Sequence, residues 1–102
     1  MDQRRTDDII QDYLAVLRKN NFPVVKAFIF GSHAKGTQNA DSDIDLAVTL
    51  ETVADRFEVG AQLAKLTRKV DIRIEPHPFH VNEFNMSHPF AREILRHGIE
   101  VA

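Results

Sequence analysis

The sequence contains no cysteine, no surplus of positive charge, no internal repeat and no apolar run of membrane-spanning length. Without cysteine there is neither a disulfide nor a thiolate metal site, which fits a reducing compartment. A bilayer-spanning helix needs about 20 consecutive apolar residues, and no stretch comes close. The charged residues of Met1–Asp8 do not lead into the apolar core of a secretion signal either, so the expected location is the cytoplasm. Basic residues number 13 against 15 acidic ones, for a net charge of -2. The electrostatic footprint of a general nucleic-acid binder is therefore missing, and a template-reading polymerase is not expected.

What remains is the composition of an ordinary globular protein, 43% apolar and 27% charged over 102 residues. That length supports one hydrophobic core, and the expectation is a single domain over 1–102.

The informative stretch runs from Phe30 to Val48. An apolar run ends in Gly31-Ser32, a polar loop carries Gly36, and a second apolar run carries Asp43 and Asp45. Gly31 lets the backbone turn sharply and bring its N–H groups to a phosphate, while the Ser32 hydroxyl can donate a further hydrogen bond. Strand residues rise about 3.3 Å each, so aspartates at i and i+2 share a face with Cβ atoms roughly 6.6 Å apart. Two carboxylates so placed can reach one hard cation. Ile44, Leu46 and Val48 then turn to the opposite, core-facing side.

Around this stretch the pattern predicts alternating helices and strands. Thr6 is positioned to cap a helix whose stripe is Ile9, Ile10, Tyr13, Leu14 and Leu17; Asn20-Asn21 and Pro23 end it. Val24–Phe30 reads as a largely buried first strand, and the second strand closes at Leu50–Thr52. A connecting helix is expected from about Val53 to Arg68. Val70–Glu75 alternates, with Val70, Ile72 and Ile74 on one face and Asp71, Arg73 and Glu75 on the other, which predicts a third strand carrying Asp71. Pro76 and Pro78 are read as breaking regular structure. Ser87 or His88 caps a last helix with stripe Phe90, Ile94 and Leu95, ended by Gly98, and Ile99–Val101 supplies a short edge strand. The expected fold class is α/β or α+β, a small mixed sheet with helices packed on one face.

Magnesium is held by one or two carboxylates plus substrate phosphates, and paired metals clamp the attacking and leaving oxygens of phosphoryl transfer. Asp43, Asp45 and Asp71 are the candidates for such a site.

The compound motif Gly31-Ser32, Gly36, Ser42-Asp43-Ile44-Asp45-Leu46, followed by Val70-Asp71-Ile72, resembles that of the minimal nucleotidyltransferases of the DNA polymerase β-like superfamily. The resemblance implies the polymerase β palm-like fold and binding of a nucleoside triphosphate, ATP by preference, with Mg²⁺ at a one- or two-metal site. Gly31 and Ser32 would hold the triphosphate. Asp43 and Asp45 would bind metal, and Asp71 would join them while positioning or deprotonating the attacking hydroxyl. Where many such relatives carry a basic loop residue this chain has Thr37, Gln38, Asn39 and Ala40, leaving Lys35 and Arg73 as nearby cations.

Small members of that family resemble the antitoxin halves of modules whose other half is an all-helical HEPN-type toxin, silenced by transfer of AMP to one of its tyrosines. The implied partners are a nucleoside triphosphate and such a helical protein, with a homodimer left open and no membrane. The competing reading is a non-catalytic nucleotide-binding or interaction module that neutralises a partner by contact. Three mutually repelling carboxylates on one face favour catalysis, because a cation is needed to offset their repulsion. His77 and His80, with no cysteine beside them, are read as surface residues rather than a zinc site. Phe79, Phe84, Met86 and Phe90 are read as packing, with an exposed patch for a second subunit or partner as the alternative for part of the cluster.

Overall fold

The computed structural model describes residues 5–36 and 42–102. The chain forms α1 (Thr6–Lys19), β1 (Val24–Phe30), α2 (Ser32–Lys35), β2 (Ile44–Leu50), α3 (Arg56–Leu66), a 3-10 turn (Thr67–Lys69), β3 (Ile74–His80), α4 (Pro89–His97) and β4 (Ile99–Glu100). The four strands make one mixed sheet in the order β3-β2-β1-β4. β1 is antiparallel to β2 and to β4, while β2 and β3 run parallel.

The stripe predicted for α1 is the one observed: Ile9, Ile10, Tyr13, Leu14 and Leu17 are all buried. They pack on Ala27 and Ile29 of β1, on Ile44, Leu46, Val48 and Leu50 of β2, and on Leu63 of α3. The Tyr13 hydroxyl donates to the Leu63 carbonyl at 2.7 Å, tying α1 to α3 inside this core. Burial raises the phenol's pKa far above its usual value, as it must when the charged form would lose its water. Thr6 does not cap the helix; Arg5 holds the N-cap position and Thr6 is the first helical residue. At the other end Asn21 takes a left-handed conformation, φ 66°, and the chain turns.

Neighbouring residues on β1 and β2 point to opposite faces, and a second core lies on the other side. There Phe28, Ala47, Phe79 and Ile94 are buried, with Phe30 and Phe84 against them. The expectation that the helices pack on one face therefore holds for α1 and α3 but not for α4, which covers the opposite face through Ile94. Its buried residues are Ala91 and Ile94, while Phe90 and Leu95 of the predicted stripe remain partly exposed. His88 caps α4, its ring nitrogen accepting from Ala91 N at 3.2 Å. β1 is buried only in its second half, from Ala27 on.

α3 starts at Arg56 rather than near Val53 because Asp55 accepts from the amides of Phe57 and Glu58. The third strand differs more. It spans Ile74–His80, not Val70–Glu75, and Ile72 stands exposed in the preceding turn. Pro76 and Pro78 lie inside β3 without breaking it. The Arg73 carbonyl accepts from Ile44 N, and Val81 N donates to the Leu50 carbonyl, so odd-numbered residues make the ladder to β2. The two prolines then face the open edge, where the missing N–H costs no ladder bond. Among the described residues no helix is long and apolar enough to cross a membrane.

Candidate active site

β1 ends, and β2 and β3 begin, at the same end of the sheet. Phe30 pairs with Asp45, and Asp45 with Glu75. Gly31 follows at φ 73°, ψ -145°, a combination open essentially to glycine alone. A Cβ at this position would overlap Asp45 Oδ2, so the turn is seated directly on the carboxylate. α2 begins at Ser32, Lys35 N donates back to the Gly31 carbonyl at 3.1 Å, and Gly36 closes the turn at φ 75°. His33 Nε2 lies 3.5 Å from the Ser42 carbonyl. The sequence readings of Thr37 to Asp41 fall outside the described residues.

Asp43 is exposed just before β2, and Asp45 is half-buried on it. Across the ladder stands Glu75. Its side chain is hydrogen-bonded with Asp45, and this raises its pKa; desolvation and repulsion from Asp43 and Asp45 add to the effect, while His77 opposes it. Two carboxylates this close share a proton when nothing else offsets their charge. His77 follows two residues later on the same face of β3, with its Nε2 3.6 Å from Asp45 Oδ1. Asp45, Glu75 and His77 each offer a ligand atom within 4.8 Å of the others, the only such group among the described residues.

Asp71 is not on β3. Its carboxylate accepts from Arg73 N at 2.9 Å and Nη2 at 2.8 Å, in a turn that delivers the chain into the strand. The carboxylate that faces Asp45 is Glu75, the last residue of the strand expected from the sequence and on the same expected face as Asp71. Shared parity of Asp71, Arg73 and Glu75 was the signal that could have found it. His77 was missed because two flanking prolines read as loop. Of the two cations expected nearby, Arg73 is engaged by Asp71, and Lys35 lines a cleft of about 160 Å³ beside Gly31, with Phe30, Phe90 and Glu93. A larger cavity of about 370 Å³ lies toward the start of β1, bordered by Val25, Phe28, Val81 and Leu95, away from the carboxylates.

The donor set suits a divalent cation: adjacent carboxylates that repel without one, an imidazole nitrogen with no hydrogen-bond partner, and a glycine turn that lets the backbone lie against Asp45.

A family model described as polymerase beta, nucleotidyltransferase matches residues 12–102. Over 62 residues the chain is 40% identical to the protein adenylyltransferase MntA of Shewanella oneidensis, an alignment covering 55% of this chain and 44% of that protein. The match thus spans less than half of that relative's length. Among solved structures, a toxin-antitoxin crystal structure with AMP-PNP superposes with a TM-score of 0.60 at 22% identity, covering 96% of this chain and 73% of the other. A tri-AMPylated Shewanella oneidensis HEPN toxin in complex with MNT antitoxin gives 0.58 at 17% identity, over 96% and 72%. At these identities the structural likeness establishes the fold.

Proposed function

The chain belongs to the polymerase β nucleotidyltransferase family, and on that premise we propose that it moves AMP from ATP to a tyrosine of an all-helical HEPN-type toxin, acting as its antitoxin in the cytoplasm. Support comes from the adenylyltransferase relative and from the toxin-antitoxin complexes that share the fold. The observation that carries the reading is the Gly31 turn seated on the Asp45 carboxylate, with Glu75 hydrogen-bonded across the ladder. A phosphate binder and a cation binder thereby share one wall.

Gly31 and Ser32 hold the triphosphate through backbone N–H groups and the serine hydroxyl, with Lys35 at the rim of the adjoining cleft. Asp43 and Asp45 hold Mg²⁺, at one or two positions. Glu75 takes the third place that the sequence motif gave to Asp71, because it, and not Asp71, belongs to the cluster around Asp45. When bound, Mg²⁺ neutralises charge on the phosphate oxygens. The acceptor oxygen bonds to the α-phosphorus as the bond to pyrophosphate breaks, and its proton passes to the carboxylate side of the site.

The test is transfer of label from α-labelled ATP to proteins of the native host's lysate, wild type against Asp43→Asn. Label on one helical protein, lost in the variant, is the expected result. Capture of the partner with no label moved from any nucleotide would replace catalysis by neutralisation through contact.

A further inference from the structure

We propose that His77 is a nitrogen ligand of the cation held by Asp45 and Glu75, and that its imidazole makes this site favour Mn²⁺ over Mg²⁺; the proposal rests on the metal-dependent reading above.

His77 Nε2 is shielded from solvent and has no hydrogen-bond partner, an arrangement that leaves a polar atom unsatisfied. The neighbouring acceptor, Asp45 Oδ1, lies 3.6 Å away. That is too long for a direct hydrogen bond, yet two metal-ligand bonds of about 2.1 Å each would span it. The third member, Glu75, completes one nitrogen and two carboxylate donors within 4.8 Å of one another. The imidazole is also held in place. Phe30 and Phe90 meet it edge-on at centroid distances of 5.1 and 5.9 Å. Ala47, its partner in the ladder, contributes only a methyl group, leaving room for the ring.

Mg²⁺ takes oxygen ligands and rarely an imidazole, whereas nitrogen donors raise affinity along the transition-metal series. A site with two carboxylates alone would discriminate little; adding His77 shifts it toward Mn²⁺.

The full chain is titrated with Mn²⁺ alone, followed by electron paramagnetic resonance, with Mg²⁺ in competition. Pulsed spectra then look for the ¹⁴N coupling of a bound imidazole. The wild type should bind Mn²⁺ about tenfold or more tightly than Mg²⁺ and show ¹⁴N coupling. His77→Gln should lose the coupling and most of the preference while keeping its Mg²⁺ affinity within about threefold. Asp45→Asn, which removes a ligand of either metal, identifies the site. Mn²⁺ bound at the Asp45 site of the wild type without ¹⁴N coupling overturns the role of His77 and leaves the metal-dependent reading standing. No binding of either cation at that site, with or without AMP-PNP, overturns both. Because the coupling is read on the wild type, a variant that fails to fold does not blunt the test.

Discussion

Asp45 and Glu75 face each other across the β2–β3 ladder and share a hydrogen bond. That bond needs a proton, and it raises the Glu75 pKa above its ordinary 4.5. Between the ordinary and the raised value the folded state holds a proton that the unfolded chain has released, so this part of the stability is complete below about pH 4.5 and falls as pH rises through the folded value. Thermal melts of metal-free protein should therefore show Glu75→Gln gaining on wild type as pH climbs through that window. At neutral pH Mg²⁺ should raise the wild-type Tm and leave that of Glu75→Gln nearly unchanged. Equal Mg²⁺ shifts in the two proteins would place the cation elsewhere.

Asp71 and Glu75 can be separated by function. Asp71→Asn weakens the pairing with Arg73 that shapes the turn into β3, so it should lower Tm while keeping label transfer within about threefold below the melt. Glu75→Gln should lower transfer by about a hundredfold or more with the fold retained. The reverse ranking would restore Asp71 as the third site carboxylate.

Gly31→Ala should be costly on two grounds. The backbone angle, φ 73°, strains any side chain there, and the added methyl meets Asp45 Oδ2. A loss of about 1–3 kcal/mol in stability is expected, together with loss of ATP binding, measured by calorimetry. Unchanged ATP affinity would mean that the triphosphate does not use this turn.

Tyr13→Phe removes the hydroxyl that bonds the Leu63 carbonyl in the core between α1 and α3. Denaturant unfolding should report a loss of about 1–3 kcal/mol, with label transfer at 25 °C unaltered. A drop in transfer without loss of stability would give this tyrosine a role that its burial does not suggest.

Much of the architecture was legible from periodicity. The α1 stripe, β1, β2 and the Gly31 turn lie where the pattern put them, because each is decided by local residues: a 3.6-residue apolar repeat, a β-branched run, a glycine. The third strand was misread for a physical reason. Val70, Ile72 and Ile74 alternate as a strand would, yet Asp71 accepts from the Arg73 amide two residues on, and that closure bends the chain before pairing begins. The prolines at 76 and 78 looked like breakers because their compatibility depends on which side of β3 has a neighbour, a fact of topology that no local pattern carries. The pairing of Glu75 and His77 with Asp45 followed from the same missing information.

Pro76 and Pro78 alternate along the outer rim of β3 and withhold amide donors from it. A free strand approaching this rim finds acceptors with few donors among them, so the sheet is a poor template for annealing with a second copy or with an extended peptide. The strand bearing Glu75 and His77 can therefore remain at the margin of the sheet without making the protein prone to strand-to-strand self-association there. A protein acceptor of the proposed transfer would be expected to dock by its own folded surface and present its hydroxyl from a helix or loop, since strand addition along this edge is disfavoured.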